Sequence, residues 1–183
     1  MIHFVELGQN MAILRDQQGL SVEEVAFRAR VCEKWWHAME QEHRNTSIDT
    51  MQRVAQALNV EPLVLVIFSL TDAEIHAIVA AMVEAFPDAP IHHTTDIHPG
   101  SNVLWLREHR KMTQKKLAME AKISTARLRD IEHCTANPTI KYLERIANAL
   151  GVSLFTLYAL TVPEQAILDM VHAARKLSKL VTV

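Results

Sequence analysis

Glycine is scarce in this chain: four in 183 residues, beside six prolines and two cysteines. So little glycine and proline excludes a collagen-like or low-complexity chain. The two cysteines stand 102 residues apart, which excludes a disulfide scaffold and leaves no Cys-x-x-Cys metal pair. No apolar run approaches the roughly 18 residues that a membrane span needs. The opening residues, MIHFVELGQN, lack the basic stretch before an apolar core that marks a signal peptide. A cytoplasmic protein without a membrane partner is therefore expected. A glycine-rich phosphate loop, a metal-ligand cluster and a recognisable nucleophile–base pair are all missing, so no enzyme activity, catalytic residue, metal or cofactor is expected. Strand signals are nearly absent as well. What is present is globular composition, 49% hydrophobic and 22% charged, in a length that suits one domain or two small ones.

The net charge of −2 argues against a nucleic-acid partner only while it is treated as an average. Residues 1–70 carry −3, residues 71–100 carry −5 and residues 101–183 carry +6. A basic C-terminal half follows an acidic N-terminal half.

The chain also matches itself at an offset of 92. Leu14 and Arg15 fall on Leu106 and Arg107, Ala26 and Ala29 on Ala118 and Ala121, and Glu40 on Glu132. Asn45, Ile48, Ala55, Ala57, Leu58, Val60 and Leu65 fall on Asn137, Ile140, Ala147, Ala149, Leu150, Val152 and Leu157. Apolar character is kept at pairs such as Val25/Leu117, Trp36/Leu128 and Met39/Ile131. A pattern this long without a gap reads as a duplicated module. Leu70-Thr71-x-x-Glu74 and Leu160-Thr161-x-x-Glu164 both look like capping boxes before apolar runs, at an offset of 90, so a loss or gain of two residues is expected there.

The resulting organisation is a first unit over 1–70, an appended helix over 71–86, a Pro-rich linker over 87–100, a second unit over 101–160 and a C-terminal helix over 161–183. In the second unit, helices are expected near 101–110, 114–121, 125–133, 139–149 and 153–160, with Thr113, Ser124, Thr139 and Ser153 as caps. The run Leu63–Phe68 has β-propensity but aligns with 155–160, so it is read as a helix buried on more than one side. His92, His93 and His98 are read as linker, since zinc needs a fourth ligand and rigid geometry. Cys32 and Cys134 are read as small buried thiols in preference to redox sensors. Trp36 is assigned to the core and Trp35 to an outward face suited to protein contact.

The stretch LREHRKMTQKKLAMEAKISTARLRDIEHCTANPTIKYLERIANALGVSLFTLY resembles the XRE family of Cro/repressor-type helix-turn-helix domains. Lys122 and Cys134 stand where that family commonly has glycine. Residues 11–65 resemble the same family with the polar pattern degraded: Ser21-Val22 replaces Thr113-Gln114, and Cys32 replaces the cap Ser124. The resemblance implies an all-α chain of two tandem five-helix, lambda-repressor-like domains, each followed by an extra helix. It implies base contacts from Thr125, Ala126 and Asp130, with Arg127 and Arg129 reaching guanine edges or phosphates. It implies a phosphate contact from Gln114. Lys115, Lys116, Asn137, Thr139 and Lys141 are candidates to join it. Arg107–Glu132 and Arg15–Glu40 are implied to be structural ion pairs that tie the first helix of each unit to the third.

The function expected is a sequence-specific DNA-binding transcriptional regulator, a repressor, acting on double-stranded DNA as a homodimer through its C-terminal unit. The N-terminal copy would serve dimerisation or a protein partner. Two alternatives stay open. Both units bind DNA as a pseudo-dimer, with Arg28, Arg30, Lys34 and Arg44 serving the first, or the chain is an antitoxin-type regulator that neutralises a basic partner protein.

Overall fold

The computed structural model describes residues 5–42, 45–90 and 99–177, and these are all-helical. Twelve helices follow one another among them: α1 Val5–Gln17, α2 Val22–Ala29, α3 Glu33–Glu42, α4 Ile48–Ala57, α5 Pro62–Ile67, α6 Asp72–Ala85, α7 Pro99–His109, α8 Gln114–Glu120, α9 Thr125–Glu132, α10 Ile140–Ala149, α11 Leu154–Ala159 and α12 Glu164–Leu177. Of the described residues, 5–42, 49–87 and 163–177 form one compact unit, and 45–48, 88–90 and 99–162 form the other.

The 92-residue register holds further than the sequence comparison carried it. The starts of α2 to α6 recur in α8 to α12 at that offset, and α6 and α12 agree at both ends. Ile75 and Val79, buried in α6, have buried identical partners in Ile167 and Val171 of α12. The expected two-residue gap is therefore absent. The capping box forms only once: Thr71 caps α6, accepting from the Glu74 backbone N–H while the Glu74 carboxylate accepts from the Thr71 backbone N–H. Glu164 is the first residue of α12, too early to reach back as a box requires, and Pro163 stands where Thr71 would.

Left-handed backbone repeats with the same period. Gly19 and Lys111, Arg30 and Lys122, and Asn59 and Gly151 all have positive φ, between 51° and 64°. Cys134 joins them at 56°. This accounts for glycine being common in the family at the places of Lys122 and Cys134: a Cβ in the left-handed region costs about 1 kcal/mol or more. Gly8 and Gly100 recur for a different reason. A Cβ on Gly8 would lie 2.2 Å from the Met39 carbonyl oxygen, and one on Gly100 would lie 2.0 Å from that of Ile131. Each glycine lets the first helix of its unit press on the backbone of the third. Two residues on, Asn10 and Asn102 are buried and donate to Leu65 O at 2.9 Å and Leu157 O at 2.8 Å. The proposed linker is thus shorter than 87–100. Pro99 and Gly100 are buried in the first turn of α7, where proline's fixed φ suits the first helical position. His92, His93 and His98 lie outside the described residues.

Leu63–Phe68 is fully buried and its core forms α5, so burial overrides its β-propensity. Trp36 is buried as expected, whereas Trp35 is half-buried rather than exposed. Both cysteines are free and exposed, against the expectation of buried thiols. Cys134 follows the end of α9 in a left-handed turn, a position that faces water.

The C-terminal helix α12 packs on α5 and α6, in the unit that holds the N-terminal half. Ile167, Leu168, Val171 and Ala174 supply its buried face. Its charged residues dock as well: His172 Nε2 lies 2.8 Å and Arg175 Nη1 2.7 Å from the Asp72 carboxylate, and His76 pairs with Glu164. The His172 hydrogen bond, followed by that of Arg175, holds the Asp72 carboxyl below its ordinary value. A carboxyl depressed in the folded state stabilises the fold above its unfolded value and ceases to do so as pH falls through the folded one. Asp72→Asn is accordingly expected to lower the melting temperature near pH 6. The difference from wild type should shrink to nothing as pH drops below the carboxylate range. Thermal unfolding followed by helicity across pH 2–6 measures this, and a difference that persists at pH 2 would contradict it.

Candidate nucleic-acid interface

The helix-turn-helix of the C-terminal unit is built from α8 and α9. Thr113 Oγ1 caps α8 by accepting from the Lys116 N–H, and Ser124 Oγ caps α9 by accepting from the Arg127 N–H, each at 3.1 Å. Leu117, Ala118 and Ala121 are buried, as are Leu128 and Ile131, and α8 packs on α9, so the turn between the helices is fixed by packing. Ser153 caps α11 in the same way, whereas Thr139 stands at the start of α10 without a side-chain cap bond.

One carboxylate joins three helices. Glu132, 3% exposed at the end of α9, accepts from Arg107 Nε of α7 at 2.6 Å and from Gln114 Nε2 of α8 at 2.7 Å. Arg107 also donates to Met112 O, closing the α7–α8 turn. Gln114, the expected phosphate donor, is therefore turned inward onto Glu132. The N-terminal unit repeats the first bond and replaces the second. Arg15 Nε lies 2.8 Å from Glu40, but Val22 stands at the place of Gln114 and cannot donate, and the Trp36 indole N–H of α3 itself supplies the bond at 2.6 Å. The hydrogen bond to Glu40 raises the Arg15 pKa although burial opposes it.

The remaining residues fall into three groups. Thr125, Ala126 and Arg129 are exposed on α9 and Lys115 and Lys116 on α8, with Asp130 half-buried and 3.9 Å from Arg129. Arg127 is folded back: its guanidinium carbon is 5.5 Å from the centre of the Tyr142 ring, and Nη2 lies 3.4 Å from Asn137 O. Asn137, Thr139 and Lys141 meet residues 45–48 of the same unit. Asn137 Nδ2 donates to Ser47 Oγ, Thr139 makes an antiparallel bridge with Ser47, and the Lys141 N–H donates to Asn45 Oδ1. The side chain of Lys141 remains exposed.

Tyr142 and Arg145 were missed in the sequence. Arg145 lies 5.8 Å from the Tyr142 ring, so the aromatic ring has a guanidinium from α9 and another from its own helix. The signal was their spacing of three on α10, which puts both on one helical face. Asn10/Asn102 and Gly8/Gly100 were legible as identities at the same offset just before the matched segment.

A helix-turn-helix family profile matches residues 103–157, from α7 to α11. The immunity repressor protein of Bacillus phage phi105 is 40% identical over 55 residues, which is 30% of this chain and 38% of the repressor. An uncharacterized HTH-type transcriptional regulator, y4dJ, of Sinorhizobium fredii is 37% identical over 60 residues, covering 33% of this chain and 78% of that protein. The chain belongs to the XRE-type helix-turn-helix family. The matched helix-turn-helix segment contains α8, α9 and the Glu132 cluster whole, and it spans well under half of the phage repressor's length. No solved structure matches the chain.

Removing one partner of a buried ion pair leaves an uncompensated charge. Glu132→Ala is expected to destabilise the helix-turn-helix unit by about 3 kcal/mol or more, and Gln114→Ala, which removes a bond at the edge of the cluster, by about 1 kcal/mol. Urea denaturation followed by helicity measures both, and equal costs would contradict the ordering.

Proposed function

We propose that this chain is a DNA-binding transcriptional regulator that reads its operator through α8 and α9 and acts as a repressor. The observation that carries the reading is the α8–turn–α9 frame locked by Glu132, with Thr125, Ala126 and Arg129 exposed on α9 and two lysines on the adjoining helix. In that frame α9 enters the major groove and the start of α8 meets the phosphate backbone. Thr125 and Ala126, near the N-terminus of α9, are the base readers; Ala126 has only a methyl group to offer thymine. Arg129 reaches a guanine edge or a phosphate, and Asp130 accepts from cytosine. Arg127, lying over Tyr142, holds the loop between α9 and α10 and presents charge to phosphate from there. Two such units in a homodimer would read half-sites about one helical turn apart.

The N-terminal unit is assigned to assembly or to a partner protein because its charges are reversed where DNA would lie. Glu23 and Glu24 stand at the places of Lys115 and Lys116, and Glu33 at that of Thr125; all three are exposed. Carboxylates there would repel phosphates. The pseudo-dimer reading draws support from the shared helix boundaries alone.

Lys116→Ala is expected to reduce the slope of log affinity against log salt by about one, with weakening that is uniform across DNA sequences. Fluorescence anisotropy on a selected duplex over a salt series measures it, and an unchanged slope removes Lys116 from the interface. The double change Lys115→Glu with Lys116→Glu, which installs the residues of the N-terminal unit, is expected to abolish binding.

A further inference from the structure

Half of the cations of the acidic N-terminal segment stand together. Residues 1–70 contain six lysines and arginines, and three of them, Arg28, Arg30 and Arg53, line a single open cleft of about 720 Å³ together with Gln18, Gln56 and Asn59. Among the described residues, those that line it include no carboxylate, though Glu24 pairs with Arg28 beside it. The cleft lies where α1, α2 and α4 end, so the first question is how much of this polarity the helix ends themselves require. Helix C-termini expose carbonyl groups and favour cations. Two of the side chains answer that need. Arg53 donates to Arg30 O at 3.0 Å and to Thr50 Oγ1 at 3.1 Å, and Gln18 donates to Leu58 O at 2.8 Å. Arg28 pairs with Glu24 one turn earlier on the exposed face of α2, where water screens the pair. Arg30 is exposed at the end of α2, and its own backbone N–H already closes that helix.

The charge is also not a requirement of the fold. At the 92-residue offset, Arg53 has its equal in Arg145, Arg30 has Lys122, and Arg28 has Glu120. The same turn of helix therefore accepts a carboxylate in one unit and a guanidinium in the other. With Arg28 at that place the cleft has a third guanidinium, and the acid nearest to it is the exposed Glu24 that pairs with Arg28.

We propose that this cleft is a binding site for a small polyanion, a phosphorylated metabolite that carries at least two phosphate charges. Guanidinium groups bind phosphate oxygens in bidentate fashion. The amides of Gln56 and Asn59 add donors and acceptors for the rest of the molecule, and the volume falls in the range of small-molecule sites. A DNA backbone is a poorer occupant. Glu24 and Glu23 precede Arg28 on α2 by about 6–8 Å along the helix, Glu24 being the acid that pairs with Arg28, and a duplex long enough to cover the cleft would run on over both carboxylates. The site would make the N-terminal unit a sensor of a phosphorylated compound beside a DNA-reading unit.

Calorimetric titration of the full chain with inorganic pyrophosphate at constant ionic strength tests this. One saturable site is expected, with a Kd of about 1 mM or tighter. Arg28→Gln combined with Arg30→Asn is expected to weaken it at least tenfold, asparagine being chosen because it tolerates the left-handed backbone at that position. If the double variant loses helicity, Arg28→Gln alone, in an exposed pair, is expected to weaken binding about threefold. No saturation, or equal binding by wild type and variant, would overturn the proposal. A parallel anisotropy series with a selected duplex identifies the occupant. Unchanged duplex affinity in the variant supports a small-molecule site, and a tenfold loss would place DNA in the cleft and overturn it.

Discussion

The buried carboxylate at the end of the third helix is the constraint on which each unit depends. In the C-terminal unit Glu132 has to be paired, because an uncompensated charge at that depth costs several kcal/mol. Arg107 from α7 and Gln114 from α8 pair it, and in doing so they fix α9 against two helices at once. The angle at which α9 presents Thr125 and Ala126 is thus set from the opposite end of the helix. In the N-terminal unit the corresponding carboxylate is Glu40; Val22 offers it no donor at the place of Gln114, and the Trp36 indole N–H supplies one. Trp36 fills the core position that Leu128 fills in the other unit and carries an N–H that leucine lacks. One side chain thus supplies both volume and a donor, and the two units share this frame while their polar surfaces differ.

That separation of frame from surface explains the charge distribution. At the start of the second helix the C-terminal unit has Lys115 and Lys116 where the N-terminal unit has Glu23 and Glu24. At the end of the same helix the signs are exchanged, Glu120 against Arg28. Exposed helix positions tolerate either charge at a cost of tenths of a kcal/mol, so the fold does not resist such reversals. The local sign then decides what each unit can attract.

Much of the architecture was legible because it rests on apolar spacing. The 92-residue register, the helical state of α5 and the ladder of small residues on α2 and α8 are all visible as repeats of burial pattern. Three features were not. The Thr161–Glu164 pattern imitated a capping box, and the matching ends of α6 and α12, with the buried pairs Ile75/Ile167 and Val79/Val171, reveal the true register. The seat of α12 on α5 and α6 was hidden because an apolar face does not name its partner. At the site, the sequence identified the exposed residues of α8 and α9 from their place outside the core. It did not show Gln114 turned inward or Arg127 laid over Tyr142, since a guanidinium or an amide can face water, phosphate or a neighbouring side chain with the same sequence.

The central claim is that DNA is read by the C-terminal frame and not by its N-terminal counterpart. Ala126 and Lys34 occupy equivalent places at the start of α9 and α3, and both are exposed. Selection of bound duplexes from a random pool, carried out with the full chain as wild type, as Ala126→Glu and as Lys34→Glu, tests the claim most directly. The account predicts that Ala126→Glu abolishes enrichment while Lys34→Glu recovers the wild-type motif. Loss of that motif in Lys34→Glu would contradict it.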